Sequence, residues 1–168
     1  MLDVIPPFSP SPMAGQLRAE LRQPKPFRSL EAEAYLNVLR TSTQLLAEFV
    51  ELLRPYEITQ PQYNVLRILR GAGDGGLPSG EIGDRMVNRD PDMTRLLDRM
   101  EARGLVSRQR GPADRRVVTA RLTDEGRRVV DALDGPVQAM HARQLGHLAE
   151  DELRTLIALL ERVRRESP

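Results

Sequence analysis

The chain is expected to be mainly α-helical, a winged helix-turn-helix joined to a helical dimerisation region built from its N- and C-terminal helices. Three observations carry that expectation. Residues 79–123 run SGEIGDRMVNRDPDMTRLLDRMEARGLVSRQRGPADRRVVTARLT, which reads as a short helix, a tight turn, a charged helix and a basic hairpin. Apolar residues recur at alternating three- and four-residue steps near both chain ends. The 168 residues carry 40% hydrophobic but only 4% aromatic side chains, enough for a core of aliphatic helices in one domain, or one domain with a small extension.

Residues 1–28 contain Pro6, Pro7, Pro10, Pro12, Pro24 and Pro26, a density that breaks regular structure and predicts an extended arm with a short helix over Met13 to Arg22. From Ser29 to Arg54 a helix is expected. Leu36, Leu39, Thr43, Leu46, Val50 and Leu53 form an a/d seam along it. Leu153, Leu156, Leu160 and Val163 repeat the rhythm near the C-terminus. Periodicity alone fits a bundle within one chain as well as one between two chains.

Thr59-Gln60-Pro61-Gln62 is a capping box opening a helix to about Arg70. The run Gly71 to Gly76 beyond it has neither the Gly-Lys-Ser/Thr ending nor the preceding strand of a phosphate loop, and reads as a linker into a helix capped by Ser79. In the next helix Met93, Leu96, Leu97 and Met100 share one face. Asp90 is the expected N-cap and Pro91 the first helical residue. The opposite face offers Arg95 and Asp98, flanked by Thr94 and Arg99. Such a face also suits a plain surface helix whose arginines meet only water.

The downstream hairpin changes that balance. Gly104 can end the helix, and β-prone runs at Val106 to Gln109 and Val117 to Leu122 flank a Gly-Pro loop. Arg108, Arg110, Arg115 and Arg116 crowd this hairpin, where guanidinium groups can meet phosphate or a minor groove. The net charge of +1 conceals a polarity: residues 85–128 hold twelve arginines against seven acids, while the segments on either side are each net −2. Of the 25 basic residues only Lys25 is a lysine, a bias that covers the whole chain. A basic hairpin beside a charged helix makes duplex DNA the leading ligand.

The sequence resembles the multiple-antibiotic-resistance-regulator (MarR) family of dimeric winged-helix transcription factors. MTRLLDRMEARGLVSR is similar to that family's recognition-helix segment, and Asp114-Arg115-Arg116 to its Asp-x-Arg wing motif. Leu122-Thr123-Asp124-Glu125-Gly126 matches the Leu-Thr-x-x-Gly that opens its long following helix, and Leu148 to Val163 resembles its closing helix. The motifs lie in the family's order over roughly Leu30 to Arg165.

The resemblance implies DNA contacts from Arg89, Thr94 and Arg95, with a phosphate contact from Arg99, and Arg115 of the hairpin is counted with them as a DNA-binding residue. It also implies that Arg116 enters the minor groove, oriented by Asp114. Residues i and i+2 of an extended segment project to one side, so Asp114 can brace Arg116 in any case. Asp90 and Asp92 depart from what an approach to phosphate favours; Asp90 is assigned to capping, Asp92 to the helix N-terminus or to a cytosine amino group.

The expected organisation is an arm over residues 1–28, a DNA-binding domain over 59–122, and a dimerisation region from 29–58 and 123–168. The expected function is that of a homodimeric, sequence-specific transcriptional regulator on a pseudo-palindromic operator, a repressor released by a small molecule. Tyr35, Tyr56, Tyr63 and Arg67 are candidate effector-pocket residues, although tyrosines at such positions also serve as core. The alternative is a helical ligand-binding or protein-interaction dimer without DNA binding.

Zero cysteines exclude disulfides and thiol switches of the kind some members of the resembled family use. His141 and His147 are six apart, on different helical faces, so no metal or other cofactor is expected. No nucleophile or acid-base motif marks an enzyme. No apolar run is long enough to span a membrane and the N-terminus lacks a secretory pattern, which makes the cytoplasm the expected location.

Overall fold

The computed structural model describes residues 16–88, 92–110 and 118–165. They form seven helices and a three-stranded sheet, in two compact units divided between Leu46 and Ala47. The mainly helical winged-helix architecture expected from the sequence is the one observed.

In the first unit, helix α1 spans Gln16–Glu20 and ends two residues before the expected Arg22, while Met13 to Gly15 lie outside the described residues. Arg18 donates to the carbonyls of Gln23 and Pro24, closing the proline-containing turn beyond the helix. Helix α2 spans Leu30–Leu53 and runs on into the second unit. The Ser29 hydroxyl accepts the Ala32 amide at 3.2 Å, and Glu31 and Glu33 lie in the first turn, so the helix start has both a cap and favourable charge.

The second unit holds the core. Helix α3, Gln60–Ala72, opens with the expected capping box, Thr59 accepting from the Gln62 amide and Gln62 from the Thr59 amide. Its apolar face delivers Val65, Leu66 and Leu69 to a cluster with Ile82, Leu96, Leu97, Met100 and Leu133. The glycine-rich stretch is no bare linker. Gly73–Gly75 form a 3-10 turn, and Leu77–Pro78 make a short strand, β1.

Helix α4, Ser79–Arg85, corrects one expectation. Pro78, not Ser79, is the cap residue, and the Ser79 hydroxyl donates across the chain to the Val118 carbonyl at 3.2 Å. Helix α5, Met93–Ala102, corrects another: its N-cap is Asp92, whose carboxylate accepts the Arg95 amide at 3.1 Å. Asp90 and Pro91 lie outside the described residues. The helix ends as expected, with Gly104 at φ +68. The Leu105 amide bonds the Met100 carbonyl and the Gly104 amide that of Glu101, a paired closure that satisfies two carbonyls of the last turn.

Strands β2, Val106–Arg110, and β3, Val118–Leu122, pair antiparallel with Arg108 opposite Ala120. Strand β1 adds to the other side of β3, giving the order β1-β3-β2 and leaving β2 as an edge. Helix α6 spans Asp124–Leu145 and α7 Glu150–Arg165. Thr123 caps α6, its hydroxyl accepting the Gly126 amide at 3.1 Å and donating to the Gly104 carbonyl at 2.6 Å. Thr123→Ala is therefore expected to cost about 1 kcal/mol of stability, seen as a lower midpoint in urea with an unchanged slope.

Candidate nucleic-acid interface

Helix α5 divides by face. Leu96, Leu97 and Met100 are buried, while Thr94, Arg95, Asp98 and Arg99 are exposed. Arg95 projects outward, its side chain 81% exposed, with its guanidinium 3.1 Å from Asp92. Asp92 thus caps the helix and steers the arginine above it. Of the other expected contacts, Thr94 and Arg99 lie on this face, whereas Arg89, Asp114, Arg115 and Arg116 fall outside the described residues.

The arginine-rich region is less uniform than a charge count implies. Arg103 donates to the carbonyls of Tyr56 and Glu57. Arg121 donates to Gly75 and Gln109, and Arg127 pairs with Asp74. Arg108 is held by Glu101 and Asp98. These groups organise the fold. Among the described residues Arg99 and Arg110 are exposed and make no ion pair, so they and Arg95 remain to meet an anionic surface.

The turn before α5 is fixed from behind, where the Asn64 side chain on α3 accepts the Val87 amide at 2.8 Å. Asn64 also lines a cavity of about 410 Å³ with Phe49, Tyr63, Arg67, Val137 and His141. Tyr63 stands edge-on to Phe49, ring centres 5.3 Å apart. Its ring is buried, and its hydroxyl has no hydrogen-bond partner among the described residues. Two expected pocket residues, Tyr63 and Arg67, line this cavity. Two do not: Tyr56 packs against the core, and Tyr35 is 65% exposed in the first unit. Asn64 and His141 escape a reading of the sequence, because bracing a distant turn and walling a cavity both depend on remote chain.

Helices α3 and α6 are bolted together by charge. Arg70 binds Asp134 through both terminal nitrogens, at 2.5 and 2.8 Å, and Asp131 at 3.0 Å. Arg67 adds a contact to Asp134 at 3.2 Å. The Arg70 hydrogen bonds hold the Asp134 carboxyl below its ordinary range, so the pair is intact at neutral pH and is lost only as acid protonates the carboxylate. No described helix is long and apolar enough to cross a membrane.

A sequence model of the MarR family matches residues 58–118, from just before α3 to the first residue of β3. The HTH-type transcriptional repressor MdtR of Bacillus subtilis (strain 168) is 30% identical over 124 residues, covering 74% of this chain and 79% of MdtR. A MarR transcription factor from Planctomyces limnophilus is 46% identical, with TM-score 0.62 over 81% of this chain and 98% of its own. A mutant MarR from E. coli, solved in complex with operator DNA, aligns with TM-score 0.73 at 26% identity, over 83% of this chain and 99% of its own.

Proposed function

The chain belongs to the MarR family of DNA-binding transcriptional regulators, and from that premise we propose that it is a homodimeric repressor released from its operator by a small molecule. The observation that carries the DNA-binding part is the exposed face of α5, where Thr94, Arg95 and Arg99 stand clear of the core beside the β2–β3 hairpin. A helix of this kind reads base edges in a major groove, and the hairpin meets backbone and minor groove beside it. Arg89, Arg115 and Arg116 extend the contact, with Asp114 orienting Arg116.

Exposed apolar side chains support the dimer. Helix α7 has no buried residue, and Ile157, Leu159 and Val163 are each between 46% and 65% exposed. On α2 the seam residues Leu39 and Val50 are about half exposed. Such helices gain by burying their stripes against a second copy. Residues 29–58 and 123–168 are thus assigned to dimerisation, 59–122 to DNA and 1–28 to an arm. The regulator acts in the cytoplasm.

The cavity lined by α3, α6 and Met86 to Asn88 supports an effector site. Its apolar walls and the donors Tyr63, Asn64 and Arg67 suit a small, largely apolar molecule with a hydrogen-bond acceptor. A molecule that binds better to a spacing of recognition helices unsuited to DNA would release the operator. Tyr63→Phe removes an unpartnered buried hydroxyl, so the free protein should be as stable as wild type or up to about 1 kcal/mol more stable. The same variant should need a higher effector concentration for release, read by titrating the protein–DNA complex with small molecules that release wild type.

The reading is tested by selecting sites from a random duplex library and weighing the protein alone and on the winning duplex. An enriched palindrome bound by two copies is expected. No enriched site, with affinity at background in low salt, would contradict it and leave a helical ligand-binding or protein-interaction dimer.

A further inference from the structure

The Glu101 carboxylate, in the last turn of α5, is spent entirely on one residue of the neighbouring strand. One oxygen accepts the Arg108 backbone amide at 2.9 Å; the other accepts the Arg108 Nε at 2.9 Å and an Nη at 2.7 Å. The same Nη reaches Asp98, one turn earlier on α5, at 2.6 Å. Arg108 is only 22% exposed, and these hydrogen bonds, Glu101's foremost, raise its pKa above that of an ordinary arginine. Strand β2 is the edge of the sheet, so the Arg108 amide taken by Glu101 would otherwise meet water.

We propose that Glu101 and Arg108 are positioning residues that lock the wing to the recognition helix, so that both reach DNA at one fixed spacing, a role that rests on the DNA-binding reading above. The clamp joins the last turn of α5 to the middle of β2, so that Arg110, two residues along the strand, extends from a base held against α5. Such preorganisation removes an ordering cost from binding. It also draws Asp98 toward Arg108, which neutralises an acid on the exposed face of α5. Arg108 therefore serves DNA through α5 and not by touching phosphate.

The sign of one substitution separates the two roles. Glu101→Gln removes a negative charge beside the interface, so long-range attraction alone predicts tighter DNA binding. Loss of positioning predicts the opposite. On the duplex selected by wild type, Glu101→Gln is expected to bind about ten-fold more weakly, the equivalent of one good contact, while affinity for random duplex is undiminished. Arg108→Lys keeps the charge but loses the two-pronged fork, and should show a similar loss. The double variant should be no worse than the weaker single one, because each change breaks the same contact.

Undiminished random-duplex binding reports that both variants are folded. Operator binding by Glu101→Gln equal to or tighter than wild type, or losses that add in the double variant, would overturn the clamp. Wild type that selects no operator would instead remove the DNA-binding reading itself.

Discussion

Gly126→Ala is expected to lower stability by about 3 kcal/mol, among the larger costs of overpacking, and the melting temperature by roughly 10 °C for a chain of this size. A Cβ at this position would overlap the Leu105 carbonyl oxygen and lie 3.0 Å from its carbon and 3.1 Å from Leu122 Cδ2. The obstacle is backbone, and it is pinned. The Leu105 carbonyl accepts the Thr123 amide, and the Leu105 amide closes the end of α5 on Met100. The chain cannot move aside without loosening the α5 closure or the α6 cap. Calorimetry on the purified variant gives the answer, and a melting temperature within about 2 °C of wild type would contradict this account of the glycine.

Arg95→Ala is expected to weaken operator binding by roughly ten- to a hundred-fold and to relax base preference at one position in each half-site. Its guanidinium is steered by Asp92, and almost all of its length is exposed, so truncation leaves the core intact. Arg116→Ala should act differently. It is expected to weaken all duplexes nearly alike and to reduce the salt slope by about one, with the dimer unchanged. Repeating the site selection with each variant, together with sedimentation, distinguishes the two. Unchanged binding by both would remove the proposed interface.

Much of this architecture is legible in local sequence, because its signals are local in physics. The Thr59 capping box and the Leu122–Gly126 motif are each satisfied by groups a few residues apart, and both helices start where those motifs place them. The hairpin strands fall within a residue of their expected bounds. The departures involve partners far along the chain. Ser79 reads as a cap until Val118, 39 residues on, takes its hydroxyl. Strand β1 has two residues and exists only because β3 pairs with it.

The site divides in the same way. The outward setting of Thr94, Arg95 and Arg99 comes from helical period, since Met93, Leu96, Leu97 and Met100 fix which face is buried. Arg108 has no such signal. Within the hairpin it looks like its neighbour Arg110, and only the approach of α5 makes one a clamp while the other stays exposed. Asp92 serves the helix N-terminus, as expected, but it takes the cap expected of Asp90, because two aspartates in three residues offer the same chemistry.

The most direct test is the affinity of the wild-type protein for its selected operator and for random duplex across a salt series. Specific binding through two recognition helices and two wings predicts operator affinity at least about a thousand-fold above random duplex, falling steeply with salt at about −0.9 per phosphate neutralised. Equal affinity for both duplexes at every salt concentration would contradict sequence-specific recognition by α5 and the wing.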